Sequence, residues 1–146
     1  MSDDTGYVLR IERTFDASAE EVFDAWTSPE VMRRWLHCEE AWQTPEAEVD
    51  LRVGGRVRVV MRTAEGRDAG MGGEYRVIDR PRRLVMTWTF DDFPDNEQLI
   101  ELTFSESEGS TTVHMINSGI STDERRDAQD WGWQGCFDEL ERVGAG

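Results

Sequence analysis

Lysine is absent from this chain of 146 residues, so all 16 of its basic side chains are arginine. Set against 31 acidic residues, they leave a net charge of −15. A surface this negative repels phosphate backbones and anionic lipid heads, which argues against nucleic acid or membrane as partners. Cysteine is nearly as scarce: Cys38 and Cys136 are too few for a disulfide framework, and two reduced thiols are expected. No CxxC motif or Cys/His cluster offers a metal its ligands, so no metal is expected. No apolar run reaches the ~20 residues of a membrane span. The opening Met1-Ser2-Asp3-Asp4 is acidic and polar rather than basic and then apolar. Together these absences lead to the expectation of a soluble, cytoplasmic protein. Walker, Rossmann and GxSxG signatures are also missing, and no cofactor is expected.

What is present reads as one α+β domain over residues 1–146, with no repeat or long linker. Tyr7 to Phe15 alternates apolar and polar residues and predicts a first strand. Ser18-Ala19-Glu20-Glu21 is a capping box, and Val22, Phe23 and Trp26 follow it at helical spacing. Ser28-Pro29-Glu30 opens a second short helix with proline at its first position. From Ala47 to Ser118 the period becomes two. Val49, Leu51 and Val53 alternate before a Gly54-Gly55 turn, and Val57, Val59 and Met61 after it. Further strands are expected at Gly73 to Ile78, Leu84 to Phe90, Leu99 to Ser105 and Thr111 to Asn117, with a hairpin turn at Glu108-Gly109. A second capping box, Ser121-Thr122-Asp123-Glu124, starts a helix that runs to about Val143 and stops at Gly144. Short strands joined by tight turns imply antiparallel pairing. The order is strand, two short helices, about six strands, long helix.

The long helix gathers Gln129, Trp133, Cys136, Phe137, Leu140 and Val143 on one face, a pattern that first of all means core packing. Gly132 and Gly135 sit mid-helix, where glycine signals close backbone approach or mobility. Arg126 and Gln129 put polar groups at the N-terminal end of that face. They either meet a polar ligand head or snorkel to solvent. Trp131 points away from the stripe, toward a loop or a partner. Met61, Met86, Trp88, Phe90 and Met115 occupy strand positions able to share a concave face. His37 adjoins Cys38, but sequence neighbours do not make a nucleophile–base pair. His114 faces away from Val113 and Met115, which fits a surface position. Glu74 alternates with Arg76 on an outer, salt-bridged face.

Three ordered stretches carry a family resemblance across nearly the whole chain. The first is Ile11 to Ala17 with Val22-Phe23-Asp24-Ala25-Trp26-Thr27-Ser28-Pro29 and Arg34-Trp35. The second is Glu48 to Gly55, Gly73-Glu74-Tyr75 and Arg82 to Trp88. The third is Asn117-Ser118-Gly119 with Gly132-Trp133 and Phe137 to Leu140. The chain resembles bacterial proteins similar to the C-terminal domain of the heat-shock-protein-90 ATPase activator, within the START and birch-pollen-allergen-like (SRPBCC) superfamily.

That resemblance implies a helix-grip fold: a curved antiparallel sheet wrapped around the long C-terminal helix, with a cavity between them. Superfamily members often bind lipids, sterols, polyketides or other hydrophobic molecules, and some are aromatase/cyclases. Two departures stand out. Leu36-His37-Cys38 replaces a common Trp-Gly-Pro, and Asn117 and Gln129 stand where relatives often carry histidine.

The first functional expectation is therefore binding of a small hydrophobic or amphipathic molecule. Its expected contacts are Trp35, Met61, Met86, Trp88, Phe90, Met115, Arg126, Gln129, Trp133 and Phe137. The alternatives are a chaperone-regulating or homodimeric interaction protein with a stress-response role, and a cyclase- or hydrolase-like enzyme using the same cavity.

Overall fold

The computed structural model describes residues 6–145. The element order is β1 (Tyr7–Phe15), α1 (Ala19–Ala25), α2 (Pro29–Trp35), β2 (Gln43–Val49), β3 (Arg56–Arg62), β4 (Asp68–Asp79), β5 (Arg83–Phe90), β6 (Gln98–Ser107), β7 (Ser110–Ile120) and α3 (Asp123–Val143). The seven strands form one antiparallel sheet in the order β1-β7-β6-β5-β4-β3-β2. Strands β2 to β7 thus make an up-and-down meander, and β1 adds to its far edge beside β7. This is the expected α+β helix-grip arrangement, a curved sheet with the long C-terminal helix. Of the single domain expected over 1–146, Met1 to Thr5 and Gly146 lie outside the described residues, and so does the acidic opening Met1-Ser2-Asp3-Asp4. Among the described residues no helix is long and apolar enough to cross a membrane.

Local chemistry explains most element boundaries. At α1, Ser18 Oγ accepts from the Glu21 amide at 3.1 Å and Glu21 Oε1 accepts from the Ser18 amide at 3.1 Å, a complete capping box. Pro29 occupies the start of α2, where no hydroxyl cap is made. The β6–β7 turn is built on Glu108 (φ 54°) and Gly109 (φ 83°), the paired left-handed residues that a tight hairpin demands.

Four boundaries differ from the sequence expectation. Leu51 and Val53 are not strand residues: β2 ends at Val49, and the two side chains are exposed in the turn that closes on Gly55 N–H to Arg52 O at 2.7 Å. Strand β2 instead begins earlier, at Gln43, and contains Pro45, which an edge strand tolerates because it has a free side. Strand β4 starts at Asp68, five residues before the expected Gly73, in a stretch whose Gly70 and Gly72 give no apolar alternation. The cap of α3 is Thr122, not Ser121. Thr122 Oγ1 accepts from the Arg125 amide at 3.1 Å, while the Ser121 hydroxyl accepts from the Arg125 guanidinium at 3.1 Å.

The core lies between α3 and the sheet, with α1 and α2 closing one end. Trp26 is its hub: its ring lies 4.8 Å from Trp35, 5.8 Å from Trp133 and 5.8 Å from Phe137. Aromatic pairs in such tilted and edge geometries contribute about 0.5–1.5 kcal/mol each beyond area burial. Trp35 is further fixed by its indole N–H, which donates to Ala25 O at 2.9 Å. From the helix-facing side of β1, Arg13 reaches α3, donating to Asp138 at 2.8 Å and to Gln134 at 2.9 Å.

Candidate functional site

The residues predicted to contact a ligand do not all meet at one surface. Trp35, Met86, Trp88, Met115 and Phe137 are at most 2 % exposed and belong to closed packing. Trp88 and Trp133 are in ring contact at 5.8 Å, so the space directly between β5 and α3 is filled. Arg126 turns outward, with its guanidinium 5.3 Å from the Tyr7 ring and 3.4 Å from Asp127.

Met61, Phe90, Gln129 and Trp133 do converge, on a pocket of about 390 Å³ displaced toward β3 and β4. This volume falls in the range of ~300–1,000 Å³ usual for small-molecule sites. The sheet supplies Met61, Ala69, Met71 and Phe90, and α3 supplies Gln129, Gly132, Trp133 and Cys136. Two loops complete the rim: Cys38 and Trp42 after α2, and Phe93 after β5. Trp131 also borders it, more than half exposed, with its ring 6.2 Å from Trp42, so the loop contact expected for it is the one it makes. Sequence periodicity found the sheet wall and missed both loops, which carry no repeat pattern. Only the aromatic content of Trp42 and Phe93 in polar surroundings marked them.

The rim near Phe93 is held by arginine. Arg58 on β3 clamps Asp91 in a bidentate pair with both bonds at 2.7 Å, anchoring the segment that carries Phe93. The same guanidinium holds the Asp91 carboxyl below the usual carboxylate range. From α3, Arg125 stacks on the Phe93 ring at 3.6 Å and donates to Asn96 at 2.9 Å. Glu124 and Arg125 are the charged groups of the pocket lining, both at the rim.

Beneath the N-terminal half of α3 lies a closed ring of amides. Gln129 Nε2 donates to Gln98 Oε1 at 2.8 Å and to Asn117 Oδ1 at 2.9 Å, and Asn117 Nδ2 donates to Gln98 Oε1 at 3.0 Å. Gln98 Nε2 returns a bond to Gln129 Oε1 at 3.1 Å, and the Trp133 indole donates to Asn117 Oδ1 at 3.3 Å. Asn117 and Gln129, the positions where the resemblance led us to look for histidine, are therefore joined in one uncharged network. It fixes Trp133, and Gln129 is its one amide that borders the pocket.

Histidines and acids elsewhere have other work. His114 is exposed on β7, 3.7 Å from Glu12. Glu74 pairs with Arg76 at 3.4 Å on the outer face. His37 is buried with Nδ1 2.8 Å from Thr44 Oγ1. The Thr44 hydroxyl already gives its proton to Leu36 O at 2.8 Å, so the imidazole is the donor of that bond. Burial pushes the His37 pKa down; Glu139, at 3.7 Å, pulls it up but less, and Arg142 adds to the lowering. His37 is thus a neutral structural group. Glu139 itself is buried and held by Arg142 at 2.7 Å. Three further buried polar atoms, Trp26 Nε1, Trp88 Nε1 and Tyr75 OH, have no hydrogen-bond partner among the described residues, and none borders the pocket.

Comparison with known proteins agrees with the fold. The family model described as Activator of Hsp90 ATPase homolog 1-like protein matches residues 16–145. The human protein "Activator of 90 kDa heat shock protein ATPase homolog 1" is 29 % identical over 125 residues, covering 84 % of this chain and 33 % of that protein. The chain thus spans about a third of the length of that relative. A solved structure from Rhodobacter sphaeroides is 28 % identical, with a TM-score of 0.79 and coverage of 93 % and 91 % of the two chains. The solution structure of an AHSA1-like protein from Aeromonas hydrophila is 26 % identical, with a TM-score of 0.76 and 96 % of each chain covered. A Chromobacterium violaceum structure shares the fold at a TM-score of 0.83 and 22 % identity, covering 96 % and 99 % of the two chains. With its model matched over nearly the whole chain and the grip fold in place, the chain belongs to the Activator of Hsp90 ATPase homolog 1-like family.

Proposed function

We propose that the chain binds a small apolar or amphipathic molecule in the pocket between α3, β3 and β4. One observation carries this reading: about 390 Å³ of space with sulfur- and aromatic-rich walls, bordered by charge only at Glu124 and Arg125. An apolar body suits the walls formed by Met61, Met71 and Phe90, and a polar end suits Gln129 and Arg125 at the N-terminal end of α3. The enzymatic alternative needs an acid or base aimed into this space. The Gln129 amide that borders it and His37, bonded to Thr44 outside the lining, give it no support.

Native mass spectrometry of the purified chain, with organic extraction in parallel, tests the reading, together with titration of an apolar fluorescent probe. Ala69→Trp fills the pocket from β4, where Ala69 is only half-buried. It is expected to weaken probe binding about tenfold or more, equivalent to ~1.4 kcal/mol. Unchanged affinity in a folded variant overturns the reading.

A second reading, a chaperone contact, follows from the name of the human relative, an activator of a 90 kDa heat shock protein ATPase. Exposed Leu51 and Val53 at the β2–β3 turn offer it an apolar foothold. Its measure is the ATPase rate of such a chaperone with the chain added. No change in rate and no co-migration count against it.

A further inference from the structure

Cys38 and Cys136, the two cysteines of the sequence, meet on one wall of the pocket. Backbone geometry brings them together. At Gly135 a Cβ would overlap the Cys38 carbonyl, and at Gly132 it would stand 3.3 Å from Cys38 Sγ. Each mid-helix glycine costs roughly 1 kcal/mol relative to alanine. Gly135 is therefore what lets the Cys38 backbone sit against the turn of α3 that bears Cys136. A third sulfur, Sδ of Met61, lies 4.0 Å from Cys38 Sγ.

The two thiols are not equivalent. Cys38 is partly exposed, whereas Cys136 is buried. The neighbouring Cys136 thiol lowers the Cys38 pKa, while burial first, and then the Cys38 sulfur, raise that of Cys136. The accessible sulfur is thus the better nucleophile, and the buried one keeps its proton. An exposed, activated thiol beside a resolving partner is the arrangement of redox-responsive cysteines.

We propose that Cys38 and Cys136 form a hydroperoxide-sensitive dithiol that closes reversibly to an intramolecular disulfide. The Cys38 thiolate attacks the outer oxygen of a hydroperoxide ROOH. An S–O bond forms, the O–O bond breaks, and the departing alkoxide takes a proton to become ROH. The sulfur of Cys136 then attacks the Cys38 sulfenic sulfur. The S–S bond forms, the S–O bond breaks, and hydroxide leaves with the Cys136 proton as water. Two thiols are oxidised and one hydroperoxide is reduced; a dithiol reductant restores the pair by exchange.

The test treats the fully reduced chain with stoichiometric hydrogen peroxide or cumene hydroperoxide, then counts thiols and maps peptides without reduction. The expected result is loss of both thiols, a linked Cys38–Cys136 peptide in a monomer, and recovery with dithiothreitol. Cys136→Ser is expected to stop at a Cys38 sulfenic acid that dimedone traps, and Cys38→Ser to leave Cys136 unmodified at the same dose. Dimedone on Cys136, or a wild-type chain that over-oxidises Cys38 without cross-linking, overturns the proposal, and the wild-type map needs no variant to fold. Probe titration of the same reduced sample keeps the two readings apart. A chain that binds the probe and never cross-links loses only the dithiol, and one that cross-links and binds no probe loses only the ligand site.

Discussion

Gln129 on α3 donates to Asn117 on β7 at 2.9 Å, an amide bond that ties the long helix to the strand next to the β1 edge of the sheet. Asn117 is fully buried, and its oxygen also receives the Trp133 indole. Gln129→Leu removes a donor to two buried oxygens at once, those of Gln98 and Asn117. Each oxygen keeps one other donor, from Asn117 and from the Trp133 indole, so the loss is that of two hydrogen bonds at about 0.5–1.5 kcal/mol each, which urea unfolding is expected to register. Combining it with Asn117→Leu is expected to cost less than the sum of the single changes, because both act on one network. Full additivity would mean that the ring is not cooperative.

Gly135 and Gly132 predict opposite outcomes for the same substitution. Gly135→Ala gains helix propensity but drives a methyl into the Cys38 carbonyl, so thermal unfolding is expected at a lower temperature. Gly132→Ala meets only the Cys38 sulfur at 3.3 Å, which a small rotation relieves, and is expected to be neutral or slightly stabilising. Equal effects at both sites would show that backbone contact with Cys38 does not set the helix position.

His37 predicts a pH dependence. Its folded pKa lies below the unfolded value of ~6.5, because burial disfavours the imidazolium. The folded state therefore binds fewer protons than the unfolded chain in this window. Stability is full above about pH 6.5 and falls as the pH drops through that value toward the lower folded pKa. Urea midpoints measured from pH 8 to 5 are expected to decline for the wild type and to decline less for His37→Gln. Parallel curves would place the acid sensitivity elsewhere.

Arg58 and Asp91 predict local rather than global effects. The carboxyl of Asp91 titrates below its unfolded value near ~3.9, so its pairing with Arg58 holds above that pH and fails as the pH falls through the lower folded value. Both side chains are more than a third exposed, so the pair adds little to global stability. Arg58→Ala is instead expected to speed amide exchange across residues 91–97 and to weaken probe binding a few-fold, with the unfolding midpoint nearly unchanged. A large midpoint shift with unaltered exchange would contradict this.

Most of the architecture was legible in the sequence because it is written in local rules. The Ser18 box, the alternation of Leu84, Met86 and Trp88, and the stop at Gly144 each depend on a few neighbouring residues. The differences arose where local signals compete. Leu51 and Val53 alternate like strand residues, yet the turn to Gly55 leaves them no partner strand. Pro45 hid an edge strand, and glycines hid the first half of β4. The pocket was legible only in part. Periodicity tells which face of an element is inward but not where two inward faces fail to touch. Trp88 and Trp133 close the space between them, whereas beside them the pocket lined by Met61 and Phe90 stays open.

The sheet order has a bearing on how the chain assembles during synthesis. Strands β2 to β7 each pair with the next in sequence, so the meander can zip from short-range hairpins as it emerges. Strand β1 is the exception: Phe15 pairs with Thr111 and Tyr7 with Ile120, so its only partner is the last strand made. The first strand must wait, unpaired and bearing Leu9, Ile11 and Phe15, until β7 has left the ribosome. Long-range pairing of this kind slows folding and exposes a sticky edge meanwhile. The alternating Arg10, Glu12 and Thr14 on its other side make that waiting strand charged on one face, a local safeguard against pairing with the wrong neighbour.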